Sequence, residues 1–220
     1  MCGRFSFAIE DALINERFGV SVRSAVYKAR YNCAPSQELA IISSGSPETL
    51  SFFKWGLVPL WAKDRTIGNK MINARAETIT EKASFRQAFK GRRCIVPADG
   101  FFEWKRSSLK IPYRFSLLDS SLFAMAGIWE TWKDHSGNDL HTFAIITTSA
   151  NALVARIHDR MPVILNRADE QKWIGETSTN ELISLLRPFD HELMKAHRVS
   201  QKVNSPFNDS PDLVEEMESL

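Results

Sequence analysis

From position 39 to position 148 the chain is largely a succession of short segments rich in Phe, Ile, Trp and Thr, set apart by turn residues. Aromatic and β-branched side chains suit a pleated, half-buried surface, and such runs bounded by Gly, Pro, Asn, Asp and Ser read as strands. On that ground strands are predicted at 39–43, 50–57, 94–104, 113–118, 122–131 and 142–148. Strands that follow one another, without strict alternation with helices, argue for an α+β fold. The expectation is a single domain with a mostly antiparallel β-sheet or barrel core and peripheral helices. Helices are predicted at 9–18, ended by Gly19, and at 85–90, capped by Ser84. Further helices are expected at 151–157, 168–174 and 181–186, with a short strand at 161–165.

With 220 residues, 44% of them hydrophobic and 25% charged, the chain can bury one substantial core without a second domain. It contains no apolar run long enough for a bilayer, and Glu10 and Asp11 interrupt the only short apolar stretch near the N-terminus, so neither membrane nor signal peptide is expected. Cys2, Cys33 and Cys94 are an odd number without metal-ligand spacing. They argue for a reducing, cytoplasmic setting and against a disulfide framework or a zinc site. The net charge of +2 hides an asymmetry, because positions 209–220 hold five acids and no base, leaving 28 basic against 21 acidic residues elsewhere. A basic body fits a polyanionic partner, and equally an ordinary solvated surface. The stretch 204–220, with two prolines and clustered acids, is predicted to be a flexible tail beyond a domain of residues 1–203.

Five segments carry more chemistry than a core needs. In Met1-Cys2-Gly3-Arg4, removal of Met1 by an aminopeptidase would leave a cysteine with a free α-amine and a thiol on adjacent carbons. The two titrate near ~7.7–8.0 and ~8.5, so both are partly nucleophilic at neutral pH. Such a 1,2-aminothiol condenses with an aldehyde and closes to a thiazolidine. Arg4 is a candidate phosphate ligand. In a strand, Asn73 and Arg75 would project from one face. Glu103 lies between Phe102 and Trp104, whose burial of the carboxylate would raise its pKa and suit it to proton transfer. His158, Asp159 and Arg160 follow a predicted helix. Trp61, between Pro59 and Lys63, could stack on an unpaired base. Each also has a plainer reading: Cys2 as a frayed end, Glu103 as a surface residue whose neighbours face the core, His158 as a helix cap, Trp61 as a core anchor.

The segments gain meaning together. Met1-Cys-Gly-Arg4, Arg30-Tyr-Asn-Cys-Ala-Pro35, Trp55-Gly-Leu-Val-Pro-Leu-Trp61, Asn73-Ala-Arg-Ala-Glu-Thr78, Arg93-Cys-Ile-Val-Pro97, Gly100-Phe-Phe-Glu-Trp104, Ala126-Gly-Ile-Trp129, Thr147-Thr-Ser-Ala-Asn151 and Ile157-His-Asp-Arg-Met-Pro162 occur in one order along the chain. In that order and wording the chain resembles the SRAP family of abasic-site processing proteins, from Cys2 to about position 200. Cys33 replaces a small aliphatic residue usual in the family. The resemblance implies a sensor of abasic sites in single-stranded DNA at stalled replication forks, acting as a monomer and without metal or organic cofactor. Cys2 would be the nucleophile of a covalent crosslink, Glu103 its acid and base, His158 an aid to sugar ring opening, and Asn73 the group that holds the N-terminus and sugar. Arg4, Arg75 and Arg160 would contact flanking phosphates and Trp61 the neighbouring bases. Weak lyase activity at abasic sites would accompany the Schiff base. Two rival readings are a cysteine-dependent peptidase or hydrolase that processes its own N-terminus, and a non-covalent module for damaged DNA.

Overall fold

The computed structural model describes residues 2–22, 26–105 and 110–217. Met1 and the end of the acidic tail, on which two expectations above fall, lie outside those residues. In chain order the elements are β1 (Phe5–Phe7), α1 (Asp11–Phe18), β2 (Arg30–Cys33), β3 (Glu38–Ser43), β4 (Ser46–Trp55), β5 (Asn73–Arg75), α2 (Arg86–Gly91), β6 (Arg93–Ala98), β7 (Gly100–Lys105), β8 (Ile111–Leu117), β9 (Phe123–Lys133), β10 (Asp139–Ser149), β11 (Arg160–Pro162), β12 (Ile164–Leu165), α3 (Arg167–Ile174), α4 (Thr179–Ser184) and β13 (Met194–Arg198), with short 3-10 turns between some of them.

Five strands close a barrel. β10 pairs with β9, β9 with β6, β6 with β3 and β3 with β4, all antiparallel, and β4 returns to lie parallel to β10 with Phe143 opposite Trp55. Ile41, Phe143 and Ile145 are fully buried in the core that the barrel encloses. At Gly127 a side chain would have no room, because a Cβ there would sit 2.8 Å from the Cys94 sulfur and 3.1 Å from the Ala144 carbonyl oxygen. The second sheet runs β13-β8-β7-β1-β2 and is antiparallel throughout. This is the α+β, sheet-and-barrel architecture with peripheral helices that the strand succession predicts.

The predicted strand 94–104 is two strands in two sheets. β6 belongs to the barrel and β7 to the second sheet, and the switch occurs at Asp99. Its buried carboxylate accepts hydrogen bonds from Ser6 Oγ, from the Ala8 amide at 2.6 Å and from Arg114 Nη2 at 2.8 Å. Gly100 follows because the Arg114 guanidinium lies where a Cβ would be, 2.6 Å from Nε. Elsewhere the predicted helix 151–157 shrinks to a 3-10 turn at Val154–Arg156, since Asn151 Oδ1 takes the Val154 amide and holds the chain in a tight turn. Helix α2 starts at Arg86, and its N-cap is Phe85 without a side-chain cap, so Ser84 does not serve as predicted.

The flexible tail is a further correction. Val199, Val203 and Leu213 are buried against Phe102 and Trp104 on the second sheet, and Asp209 accepts the amides of Tyr31 and Asn32 at 2.6 and 3.1 Å. Acidic composition conceals these few apolar anchors, and Asp209 also pairs with Arg30. Among the described residues no helix is long and apolar enough to cross a membrane.

The Asp99 corner sets the expectation for stability. Removing one member of a buried ion pair leaves the other charge unpaired and costs about 3–5 kcal/mol. Asp99→Ala is therefore expected to lower the unfolding free energy measured by urea titration by about that amount, while Asp99→Asn, which keeps an acceptor oxygen, loses less.

Candidate active site

The sequence separates Cys2, Asn73, Glu103 and His158 by as many as 156 positions, and the fold assembles them at the seam between the barrel and the second sheet. Cys2 precedes β1, which pairs with β7 in the register Phe5 to Phe101 and Ser6 to Gly100. The Phe102 amide donates to the Arg4 carbonyl at 2.9 Å and extends that pairing, which brings Glu103 opposite Gly3. β5 is fixed from two directions: its Asn73 lies opposite Ile145 of the barrel, and the Trp55 indole donates to the Ile72 carbonyl at 2.8 Å. From there Asn73 Nδ2 donates to the Cys2 carbonyl at 2.8 Å. Asn73 Oδ1 is buried and makes no hydrogen bond to any described group.

His158 ends the 3-10 turn before β11. Its amide donates to the Val154 carbonyl, and its Nδ1 accepts the Arg160 amide at 3.0 Å. This leaves Nε2 facing Glu103, 3.9 Å from Oε2. The exposed Asp159 carboxylate lies 3.2 Å from His158 Nδ1. A ring that accepts at Nδ1 carries its proton at Nε2 when neutral, on the side of the carboxylate.

Glu103 is buried, but not by the groups that the sequence suggests. Strand alternation turns Phe102 and Trp104 to the opposite face, where they pack under the C-terminal segment, while Glu103 shares its face with the buried Phe101. Burial between the two sheets pushes the carboxyl up to about 7. Cys2 is completely buried as well, and its thiol is pushed up first by that burial and then by the charge of Glu103. It stays protonated at neutral pH.

The three arginines part company. Arg75 is exposed at the end of β5, and its guanidinium makes no hydrogen bond or ion pair among the described residues. Arg160 grips Glu77 through both nitrogens, at 2.5 and 2.9 Å, and donates to the Thr147 carbonyl at 2.7 Å. Arg4 is half-buried, and its Nη1 donates to Asn32 Oδ1 and to the Val203 carbonyl, both at 2.8 Å. Burial lowers its pKa. Glu77 and Asn32 are thus part of the site's framework, although sequence reasoning assigned them no role: both stand in quoted motifs, but neither spacing signals a partner. Trp61 is 58% exposed beside Leu60, on a loop anchored by Ala62, whose carbonyl accepts the Trp132 indole at 2.7 Å. It is not a core anchor.

With this geometry in hand, the comparisons become specific. Residues 1–206 match the family described as SOS response associated peptidase (SRAP). The chain belongs to the SRAP family. Among relatives, it is 50% identical to the abasic site processing protein YoqW of Bacillus subtilis, over 98% of this chain and 99% of that one. It is 32% identical to the abasic site processing protein HMCES of Xenopus tropicalis, over 84% of this chain and 65% of that one. A crystal structure of a Bacteroides thetaiotaomicron protein superposes with a TM-score of 0.90 at 34% identity, covering 99% of this chain and all of the other. The SRAP chain therefore shares its fold across nearly its whole length with a solved structure, and half of its residues with a relative named for abasic sites.

The raised Glu103 carboxyl fixes the sign of a pH effect. A folded-state pKa above the unfolded value near 4.5 means that the folded protein holds the proton more tightly. The associated stability is complete below pH ~4.5 and is lost as pH rises through about 7. Glu103→Gln, a neutral isostere, is expected to melt like wild type at pH ~4, below the unfolded value, and at least ~2 °C higher at pH ~8. Thermal unfolding at the two pH values measures the difference.

Proposed function

We propose that the protein captures the aldehyde of abasic sites in single-stranded DNA as a covalent adduct of Cys2, in the setting of stalled replication forks. The observation that carries this reading is the convergence on one cysteine of an amide at its carbonyl and of a carboxyl on the strand paired with β1, which faces a histidine in the turn before β11. Its relatives' names supply the substrate.

After removal of Met1, the Cys2 α-amine adds to C1′ of the ring-opened sugar. The carbinolamine hydroxyl takes a proton from Glu103 and leaves as water, and the nitrogen proton returns to the Glu103 carboxylate, giving a Schiff base. The Cys2 sulfur then adds to the imine carbon, and its proton passes to the nitrogen. Aldehyde and aminothiol thus become thiazolidine and water. A thiol kept protonated by burial makes the amine the first nucleophile, and a carboxyl near neutrality can both give and take the proton. His158 Nε2 assists opening of the sugar ring, and Asn73 holds the Cys2 carbonyl so that the amine points at one place. Loss of a C2′ proton from the Schiff base with expulsion of the 3′-phosphate would give a weak lyase activity.

Exposure makes Arg75 the arginine best suited to a phosphate. Arg160 reaches a phosphate by exchanging it for Glu77, whereas Arg4, enclosed by Asn32 and the Val203 carbonyl, stays in the framework behind Cys2 and leaves the phosphates to the other two. Trp61, exposed beside Leu60, stacks on bases next to the lesion.

Single-stranded DNA with one abasic site, mixed with protein whose intact mass lacks Met1, is expected to give a band that survives denaturant and high salt. Cys2→Ala should give none, and a persistent band in that variant would refute the thiazolidine. Arg75→Ala should weaken reversible binding to undamaged single strands about threefold to tenfold at low salt and reduce the slope of log affinity against log salt by about 0.7, the share of one phosphate contact. A salt titration by fluorescence anisotropy measures both.

A further inference from the structure

The Arg4 side chain points away from the reacting groups and into a polar joint that the chemistry above leaves unused. At its centre is Asn32, 1% exposed, on the strand that pairs with β1. Its Oδ1 accepts Arg4 Nη1 at 2.8 Å. Its Nδ2 faces three carbonyls of the C-terminal segment, Asn208 at 2.7 Å, Ser205 at 2.9 Å and Val203 at 3.3 Å. Val203 offers the same carbonyl to Arg4 at 2.8 Å, and Asp209 closes the joint on the backbone amides of Tyr31 and Asn32. One buried amide therefore bonds at once to the residue two positions from the nucleophile and to a segment about 170 positions away. On its other side Cys2 is held by Asn73, and the Arg4 carbonyl by the Phe102 amide. The N-terminal residues are thus clamped between β7, β5 and the C-terminal segment.

We propose that Asn32 is a positioning residue for Cys2, acting through Arg4 and locking the C-terminal segment as the back wall of the clamp; this rests on the reading of Cys2 as the nucleophile. A terminal residue is the part of a chain most prone to fray. A covalent step is sensitive to that freedom, since a displacement of ~1 Å can cost on the order of a hundredfold in rate. Asn32 supplies what a charged residue could not: an acceptor for the arginine and donors for carbonyls in one planar group.

The test is single-turnover crosslinking to abasic single-stranded DNA across a range of DNA concentrations, for wild type, Asn32→Ala and Asn32→Asp. Amplitude reports the folded, competent fraction, the limiting rate reports positioning, and the half-saturating concentration reports DNA binding. Asn32→Ala is expected to lower the limiting rate tenfold or more, with half-saturation within twofold of wild type. Asn32→Asp keeps an oxygen for Arg4 but turns an acceptor-only carboxylate on the Ser205 and Asn208 carbonyls, so it should recover little of the rate. Asn32→Ser serves the same comparison if Asn32→Ala does not fold. A wild-type limiting rate in the Ala or Ser variant, or a loss confined to amplitude or half-saturation, overturns the proposal. If wild type forms no adduct at all, the functional reading fails on its own, and the clamp is judged without DNA. Iodoacetamide should then alkylate Cys2, resolved from Cys33 and Cys94 by peptide mass, at least fivefold faster in Asn32→Ala, and equal rates would overturn the clamp.

Discussion

The carboxylate of Asp99 is the interaction on which the rest of this structure turns. It stands where the chain leaves the barrel and enters the second sheet, and it binds Ser6, the Ala8 amide and Arg114 together. Without that junction β7 would have no reason to lie against β1, and Glu103 would not face the residues that follow Met1. The buried pair of Asp99 and Arg114 adds little net stability over a well-packed apolar substitute, because desolvation offsets most of the attraction. What it contributes is geometry: a single allowed way for two sheets to meet.

The seam created there has a useful electrostatic character. It is dry enough to raise the Glu103 carboxyl to about 7 and to keep the Cys2 thiol protonated, yet polar enough to orient Cys2 through Asn73. A carboxyl in ordinary water would be ionised at neutral pH and unable to donate a proton. The same burial would stop a thiolate from acting first. Desolvation thus sorts the roles of the groups without any one of them being unusual in covalent structure.

The outer arginines show how neighbours decide function. Arg75, Arg160 and Arg4 look alike in the sequence, but Glu77 neutralises one, Asn32 and Val203 enclose another, and only Arg75 stands in solvent. The acidic C-terminal stretch illustrates the same point from the other side. Five acids in twelve positions suggest a solvated tail, but Leu213 and Asp209 are enough to dock it, and docking makes it part of the framework behind Cys2.

By itself the sequence determined the fold class, most of the barrel strands and the identity of the four converging residues. Strand periodicity and turn chemistry are local, and the ordered motifs preserve the family's chemistry in residue types. Short or polar elements were not legible: β1, β2 and β13, with three to five residues each, carry too little pattern to stand out, and the break at Asp99 looks like one continuous apolar run. Only the tertiary structure decided why Glu103 is buried, since strand alternation turns its aromatic neighbours away and the opposite sheet does the covering. It alone decided which arginine is free and that Asn32 joins the two ends of the chain. Those outcomes depend on contacts between residues some thirty to two hundred positions apart, and no local pattern encodes which distant group will arrive.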